Sequence, residues 1–475
     1  MLSRQRISEG PGALINDDLA PVPPERRSWG TYHIFAMWMS DVHSVGGYVF
    51  AASLFATGLT GWQVLTGMLV GILVANWLIN LVGRPSQRLG VPYPVAARIA
   101  FGVFGANLPA LVRAAVAIVW YGVQTYFASV SLMVLVLKLF PGLVVFASRD
   151  TGFAGLSGLG WAAYLTTWVL QLAIFYRGMD SIRRFVDFAG PAVYVVMFAL
   201  AAWVYSRVGV ANIDLSLADR NLSGREAWLE TGKVAALVVG YFSAFLLSFG
   251  DFSRYCPSER QMVLGNLLGL PVNWMLFAVV TVVITSGTVS IFGELIMDPL
   301  EVVHRLDSVA AVTLASLTFI IATLGINLVA NFVAPAFDLA NLAPRKISFR
   351  TGGLISAGFA LFSLPWQFVE SPQAIAIFIG TIGGFLGPIY AIMVTDYYLV
   401  KRQEVAPDDL FNATPDGSLW YVNGWNPRAL LALVPGVVVS GIISFTPSLS
   451  PFVAVSWFVA AAISGTLYLF LNRTS

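Results

Sequence analysis

Twelve apolar stretches, each suited to crossing a bilayer, run through the chain and leave little room for any other architecture. A helix needs about 20 apolar residues to span a hydrocarbon core of ~30 Å. The stretches lie at 38–55, 65–81, 111–135, 159–174, 186–204, 234–249, 267–289, 312–336, 354–366, 374–400, 430–445 and 452–471. Only 11% of the residues are charged while 57% are hydrophobic, against about 25% charged in a soluble chain. Too few charges exist to face water all round. That excludes an ordinary soluble enzyme, a disordered scaffold and a nucleic-acid binder, and the net charge of +2 offers no footprint for a polyanion. The single cysteine, Cys256, excludes an internal disulfide framework and a multi-cysteine metal site. The chain reads as an all-α polytopic membrane protein.

Its direction follows from the excess of Lys and Arg in cytoplasmic loops. With the N-terminus inside, nineteen basic residues fall on the cytoplasmic side, Arg4, Arg6, Arg98 and Arg254 among them, and six fall outside, including Arg220 and Arg305. Arg113 and Lys233, near helix starts, belong to neither count. Twelve spans with both termini cytoplasmic, in the inner membrane, is the expectation. Residues 1–28 contain no apolar run of the cleavable-signal kind and read as a flexible tail.

Two spans carry residues foreign to a lipid-facing helix. The first contains Asp41, His43, Ser44, Gly46 and Gly47, and the sixth contains Gly240-Tyr241-Phe242-Ser243. Two broken helices five spans apart suggest two inverted five-helix repeats, with a binding site at the membrane midplane where freed backbone groups line a cavity. The expected segments are a tail at 1–29, repeats at 30–207 and 228–400, a loop at 401–426 and two accessory helices at 427–475.

Candidate site residues come from spacing and cost. Trp120 and Gln124 stand four apart and share a helix face, pairing a flat apolar platform with an amide. Spacing alone favours helix packing slightly over a ligand. Asn327 and Asn331 repeat that spacing, with Asp338 seven residues further on, and need partners from another helix or from a ligand. Asp41 is different in kind, because a carboxylate at mid-span costs about 2.5–3.5 kcal/mol on insertion scales and is a functional candidate by default. Asp187, Asp251 and Asp396 lie near span ends and read as hydrated boundary residues, while His33 and His304 read as solvated. No zinc, phosphate-loop or dinucleotide motif occurs, the three histidines have no metal-ligand spacing, and neither an enzyme nor a cofactor is expected.

Several motifs together resemble the nucleobase:cation symporter-1 family: 91–98 (VPYPVAAR), 120–125 (WYGVQT), 250–255 (GDFSRY), 327–331 (NLVAN), and Gly387-Pro388 with Asp396-Tyr397-Tyr398. The resemblance implies a secondary transporter with a leucine-transporter-like five-plus-five core and two accessory helices, importing a nucleobase, allantoin or hydantoin. The same scaffold carrying a vitamin or an amino acid is the alternative within transport. The resemblance places Trp120 and Gln124 on the family's stacking and hydrogen-bonding positions, and Asn331 on a second hydrogen-bonding position. Phe242 stands where the family usually has a second tryptophan, with Tyr241 before it. Ser44 stands where a hydantoin-carrying member has glutamine. In sodium-driven members two adjacent Ser/Thr hydroxyls complete the ion site, and here that pair is Gly325-Ile326. A hard cation wants several oxygen ligands. The departure favours a proton over sodium as the coupling cation, with Asp41 carrying it and His43 assisting.

Overall fold

In the computed structural model, which describes residues 14–209, 212–217 and 222–473, the first apolar stretch is two helices rather than one. Helix α1 (Thr31–Val42) ends at His43 and α2 (Val45–Phe55) begins after Ser44. The break satisfies its own polar groups. The Ser44 hydroxyl accepts from the Gly47 N–H at 2.9 Å, capping α2, and His43 Nδ1 donates to the Met39 carbonyl at 2.6 Å. Serine is a favoured N-cap because it replaces a bond that the missing preceding turn would have supplied. Of the basic residues counted for orientation, Arg4, Arg6 and Arg220 lie outside the described residues.

Long helices follow: α3 (Gly61–Leu89), α4 (Asn107–Leu139), α5 (Gly158–Tyr176), α6 (Met179–Val208), α7 (Gly224–Ser248), α8 (Glu259–Phe292) and α9 (Val309–Leu342). Then come α10 (Phe349–Phe362), α11 (Pro372–Thr395), α12 (Pro427–Phe445) and α13 (Ser456–Arg473). Among the described residues nine helices are long and apolar enough to cross a membrane, and three shorter apolar helices, Val45–Phe55, Phe349–Phe362 and Gly384–Val400, fall on the other expected stretches. No strand forms among the described residues.

Small residues set the packing. Helices α3 and α7 meet where Gly67 faces the Thr231 carbonyl and Gly71 the Ala235 carbonyl, and a Cβ at Gly71 would collide with that oxygen. Backbones come this close in membranes because small residues permit it. Helix α1 packs on α6 and α9, α4 packs on α9, and α11, α12 and α13 form a flank of their own.

Helix α7 corrects one expectation, since it runs unbroken through Gly240-Tyr241-Phe242-Ser243 to Ser248. One glycine costs a helix only about 1 kcal/mol, and nothing there caps a break as Ser44 does in the first stretch. Irregularity appears instead in α8 and α9, which widen into π turns at Leu268–Val272 and Asn327–Val333. Such turns recur at functional sites.

The tail is the second correction. Residues 14–29 are docked across one face of the bundle, while residues 1–13 of the expected tail lie outside the described residues. Asn16 donates to the Pro344 and Ile347 carbonyls, the Phe349 N–H donates to Asp18, and the Val22 N–H donates to the Gly90 carbonyl. Two arginines counted on the cytoplasmic side are buried beneath it. Arg98 donates to Leu14, Leu410 and Asn341, and Arg254 to the Asp18 and Ala20 carbonyls. The tail supplies backbone oxygens that these guanidinium groups need, so tail and arginines fold together.

Candidate functional site

The break between α1 and α2 is the centre of the candidate site, because side chains from two other helices converge on its first turn. On one side the Gln124 amide of α4 approaches Gly46, 3.7 Å from where a Cβ would sit. On the other, the Tyr241 hydroxyl of α7 lies 3.2 Å from a Cβ placed at Gly47, beside the Ser44 hydroxyl. A side chain at 47 would also meet the Val42 carbonyl at 2.9 Å, so the glycine pair is what lets α4 and α7 close on the break.

The amides divide into a structural one and a free one. Asn327 Nδ2 donates to the Tyr121 carbonyl, Thr125 Oγ1 and Gln171 Oε1 at 3.0, 3.1 and 2.6 Å. Three acceptors fix that amide's orientation, so Asn327 locks α4, α5 and α9 together. Its Oδ1 therefore faces Asn331, whose Nδ2 donates to it at 3.1 Å. Asn331 Oδ1 forms no hydrogen bond among the described residues. Gln124 Oε1 is buried without a partner. Leaving a buried acceptor unmade costs about 1–3 kcal/mol, and a ligand offering N–H groups would remove that cost.

The aromatic positions differ from one another. Trp120, partly exposed, meets Phe378 of α11 at 5.9 Å. Tyr241 stacks on Phe50 of α2 at 4.5 Å, nearly parallel. Phe242 is only 2% exposed and turns its ring to Trp38 and Trp274. Phe378 is invisible to a reading of the sequence, since it belongs to no recognisable spacing.

Asp41 is buried and forms no hydrogen bond among the described residues. The break is held by His43 and Ser44, so tethering is not Asp41's task. The charge it faces is Arg113. The His43 ring is enclosed edge-on by Tyr194 at 4.3 Å and Phe277 at 4.9 Å. The acids expected at hydrated boundaries are corrected: Asp251 and Asp396 are fully buried. Asp251 accepts from the Tyr93 N–H at 2.9 Å and Asp396 from the Tyr468 hydroxyl at 2.7 Å. Asp187, partly exposed, meets His33 Nδ1 at 2.9 Å, so that histidine is not a free solvated group. A crevice of about 690 Å³ lies elsewhere, between the C-terminal ends of α6 and α8 and the start of α9, and holds none of these residues.

A broken first helix, a second π-widened helix facing it and polar side chains gathered at the break define a multi-pass membrane transporter. The comparisons with known proteins agree. The family described as "Permease for cytosine/purines, uracil, thiamine, allantoin" matches residues 21–460. An allantoin permease of Bacillus subtilis is 34% identical over 97% of this chain and 93% of its own length. A purine-uracil permease of Arabidopsis thaliana is 32% identical over 90% of this chain and 71% of its own. Among solved structures, the nucleobase-cation-symport-1 transporter Mhp1, closed with bromovinylhydantoin bound, superposes with a TM-score of 0.76 at 22% identity, covering 97% of each chain. A Na+-coupled sialic acid symporter superposes with a TM-score of 0.63 at 11% identity. The fold is the leucine-transporter-like one. The chain belongs to the nucleobase:cation symporter-1 family and is a transporter, not an enzyme.

Proposed function

We propose that this protein imports a small planar nitrogen heterocycle of the ring-amide class, an allantoin, hydantoin or nucleobase, in symport with a proton. The reading rests on two amide oxygens that form no hydrogen bond among the described residues, the buried Gln124 Oε1 and Asn331 Oδ1. Both are acceptors, and ring amides present N–H donors along one edge. Trp120 offers the ring a platform, and aromatic stacking contributes about 0.5–1.5 kcal/mol beyond area burial. Phe242 stands in for the second stacking residue of the family, with Ser44 and Tyr241 lining the break. The face on which residues 14–29 dock is cytoplasmic, and the bilayer is the inner membrane. Relatives are named for allantoin, purines and uracil, which supports the substrate class.

Proton coupling is supported by Asp41, a buried acid at the break with no hydrogen bond among the described residues, and by Gly325-Ile326, which offers sodium no side-chain oxygen. One proton moving down ~100 mV supplies about 2.3 kcal/mol, roughly fifty-fold accumulation of a neutral substrate. The test has two parts. A thermal-shift panel of nucleobases, hydantoins, allantoin and thiamine identifies the ligand, since a compound binding only the folded state raises apparent stability. Proteoliposomes with an inward proton gradient and no sodium should then concentrate it. Stimulation by sodium, or accumulation by Asp41→Asn under the same gradient, overturns the proton reading. A response to thiamine alone replaces the substrate class.

A further inference from the structure

Gln171 of α5 is fully buried, as are Thr125 of α4 and Asn327 of α9, and the three side chains hydrogen-bond one another. A primary amide can be turned either way about its last bond, and its partners decide which end faces where. Backbone carbonyls decide here, because they can only accept.

The Thr167 carbonyl, one turn back in α5, accepts from Gln171 Nε2 at 3.2 Å, which turns Gln171 Oε1 toward α9. The Tyr121 carbonyl of α4 accepts from Asn327 Nδ2 at 3.0 Å, and the same nitrogen closes to 2.6 Å on Gln171 Oε1. Thr125 reverses neither amide. Its hydroxyl gives its own proton to the Tyr121 carbonyl at 2.7 Å and accepts from both amide nitrogens, Gln171 Nε2 and Asn327 Nδ2, at 3.1 Å each. With its nitrogen held, Asn327 turns Oδ1 to Asn331 and accepts from Asn331 Nδ2 at 3.1 Å. The sense is therefore fixed from Gln171 to Asn331, and the loose end is Asn331 Oδ1, which forms no hydrogen bond among the described residues.

Turning Asn331 over to offer a ligand its nitrogen would set Asn331 Oδ1 against Asn327 Oδ1, acceptor against acceptor. Turning Asn327 with it would set Asn327 Oδ1 against the Tyr121 carbonyl and Gln171 Oε1. Buried polar networks whose members are satisfied resist such reversal, because each unmade bond is costly at low dielectric. We infer that Gln171 is a specificity-determining positioning residue: acting through Asn327, it holds Asn331 as an acceptor, so that the pocket takes a ring edge with an N–H at that position and rejects one with a bare acceptor atom. The inference rests on the reading that Asn331 meets the ligand.

The test compares rings matched in size, in which one ring N–H is exchanged for a ring oxygen: hydantoin against oxazolidinedione, and uracil against oxauracil. Affinities are measured by calorimetry on the full-length protein in nanodiscs. In wild type at least one N–H ring should bind more tightly than its oxygen analogue by roughly five- to 150-fold, the range for a buried polar partner left unmade. Gln171→Leu removes the shortest hold on Asn327 and should narrow that ratio about fivefold, the worth of one ordinary hydrogen bond. Gln171→Leu/Asn327→Leu frees Asn331 to turn and should bring the pair within about twofold, chiefly by tighter binding of the oxygen analogue. Exchanging both partners of a buried bond for apolar groups of similar size is nearly neutral for stability, which keeps the question decidable if Gln171→Leu alone does not fold. Gln171→Glu keeps an acceptor facing Asn327 and should keep the ratio even at a lower Tm, a separation that a purely structural role does not produce. A ratio held at the wild-type value in whichever leucine variants fold, or lost in Gln171→Glu, overturns the inference and leaves the ring-amide reading standing. A wild type that binds neither N–H ring more tightly than its analogue overturns that reading as well.

Discussion

Gly325 of α9 packs so closely on Ser40 of α1 that a Cβ on the glycine would stand 3.1 Å from the serine Cβ. The space where sodium-driven relatives are expected to present helix-α9 hydroxyls is filled by the Ser40 side chain, whose hydroxyl donates to the Val186 carbonyl at 3.4 Å. Supplying an oxygen there should therefore cost packing before it gains a cation. Overpacking a filled site costs about 1–3 kcal/mol, so Gly325→Ser should lower the Tm and leave uptake insensitive to sodium. Sodium-dependent uptake by the Gly325→Ser/Ile326→Ser double variant would show that the site had room after all.

The two asparagines of α9 should behave oppositely although they share a helix face. Asn331→Ala and Gln124→Ala each remove a ligand-facing amide, and loss of a buried polar partner at about 1–3 kcal/mol corresponds to roughly five- to 150-fold weaker binding at near-normal expression. Asn327→Ala instead strands Gln171 Oε1 and the acceptors on α4, so it should reduce Tm and yield. If Gln124→Ala and Asn331→Ala bind as wild type does, the pocket assignment is wrong.

The spans are legible in the sequence because a bilayer demands length and apolarity, and both are plain in a one-dimensional string. The break at His43-Ser44 is legible too, since an acid, a histidine and a glycine pair are costly in the middle of a lipid-facing helix and at home beside an interrupted one. Spacing cannot separate Asn327 from Asn331, because the difference lies in Gln171 and Thr125 on neighbouring helices and in the π turn between them. Gly240 misleads, since a glycine permits a break without causing one. Arg113 and Asp251 stand near helix ends in the sequence, yet α4 and the segment after α7 carry them into the packed interior. There Arg113 reaches Ser248 and the Ala330 carbonyl and Asp251 accepts from the Tyr93 N–H, partners that no local pattern reveals.

The docked tail should act as a seal on its face of the protein. Cys256 is buried there, its carbonyl accepting from Gln87 and its neighbour Tyr255 stacked on Trp29 at 6.1 Å. Removing the tail's anchors with Asn16→Ala and Asp18→Ala loses five hydrogen bonds, two from Asn16 Nδ2 to the bundle, two to Asn16 Oδ1 from the Asp18 and Leu19 N–H groups and one to Asp18 Oδ2, each worth about 1 kcal/mol. Labelling of the lone thiol by a maleimide should then run several-fold faster than in wild type. Unchanged labelling would mean that the tail rests on the surface without closing it.

A buried acid and an asparagine together tie the accessory helices to the rest, and that joint should govern stability alone. The Tyr468 hydroxyl of α13 donates to Asp396 Oδ1 at 2.7 Å and accepts from Asn426 Nδ2 at 3.0 Å, while the same Asn426 nitrogen donates to the Ala100 carbonyl at 2.7 Å. The other Asp396 oxygen is buried without a partner, so Tyr468 is the carboxyl's one side-chain hydrogen bond among the described residues. Tyr468→Phe keeps the ring and removes that bond, which for a charged group is worth about 1.5–3 kcal/mol. The variant should melt earlier yet bind substrate with unchanged affinity, because none of these residues approaches the α1–α2 break. Exchanging the acid as well, in Tyr468→Phe/Asp396→Asn, should restore part of the Tm, since no charge is then left buried and unpaired. A Tyr468→Phe variant that melts like wild type would show that Asp396 is satisfied by other means, and altered substrate affinity would extend the transport machinery into the accessory helices.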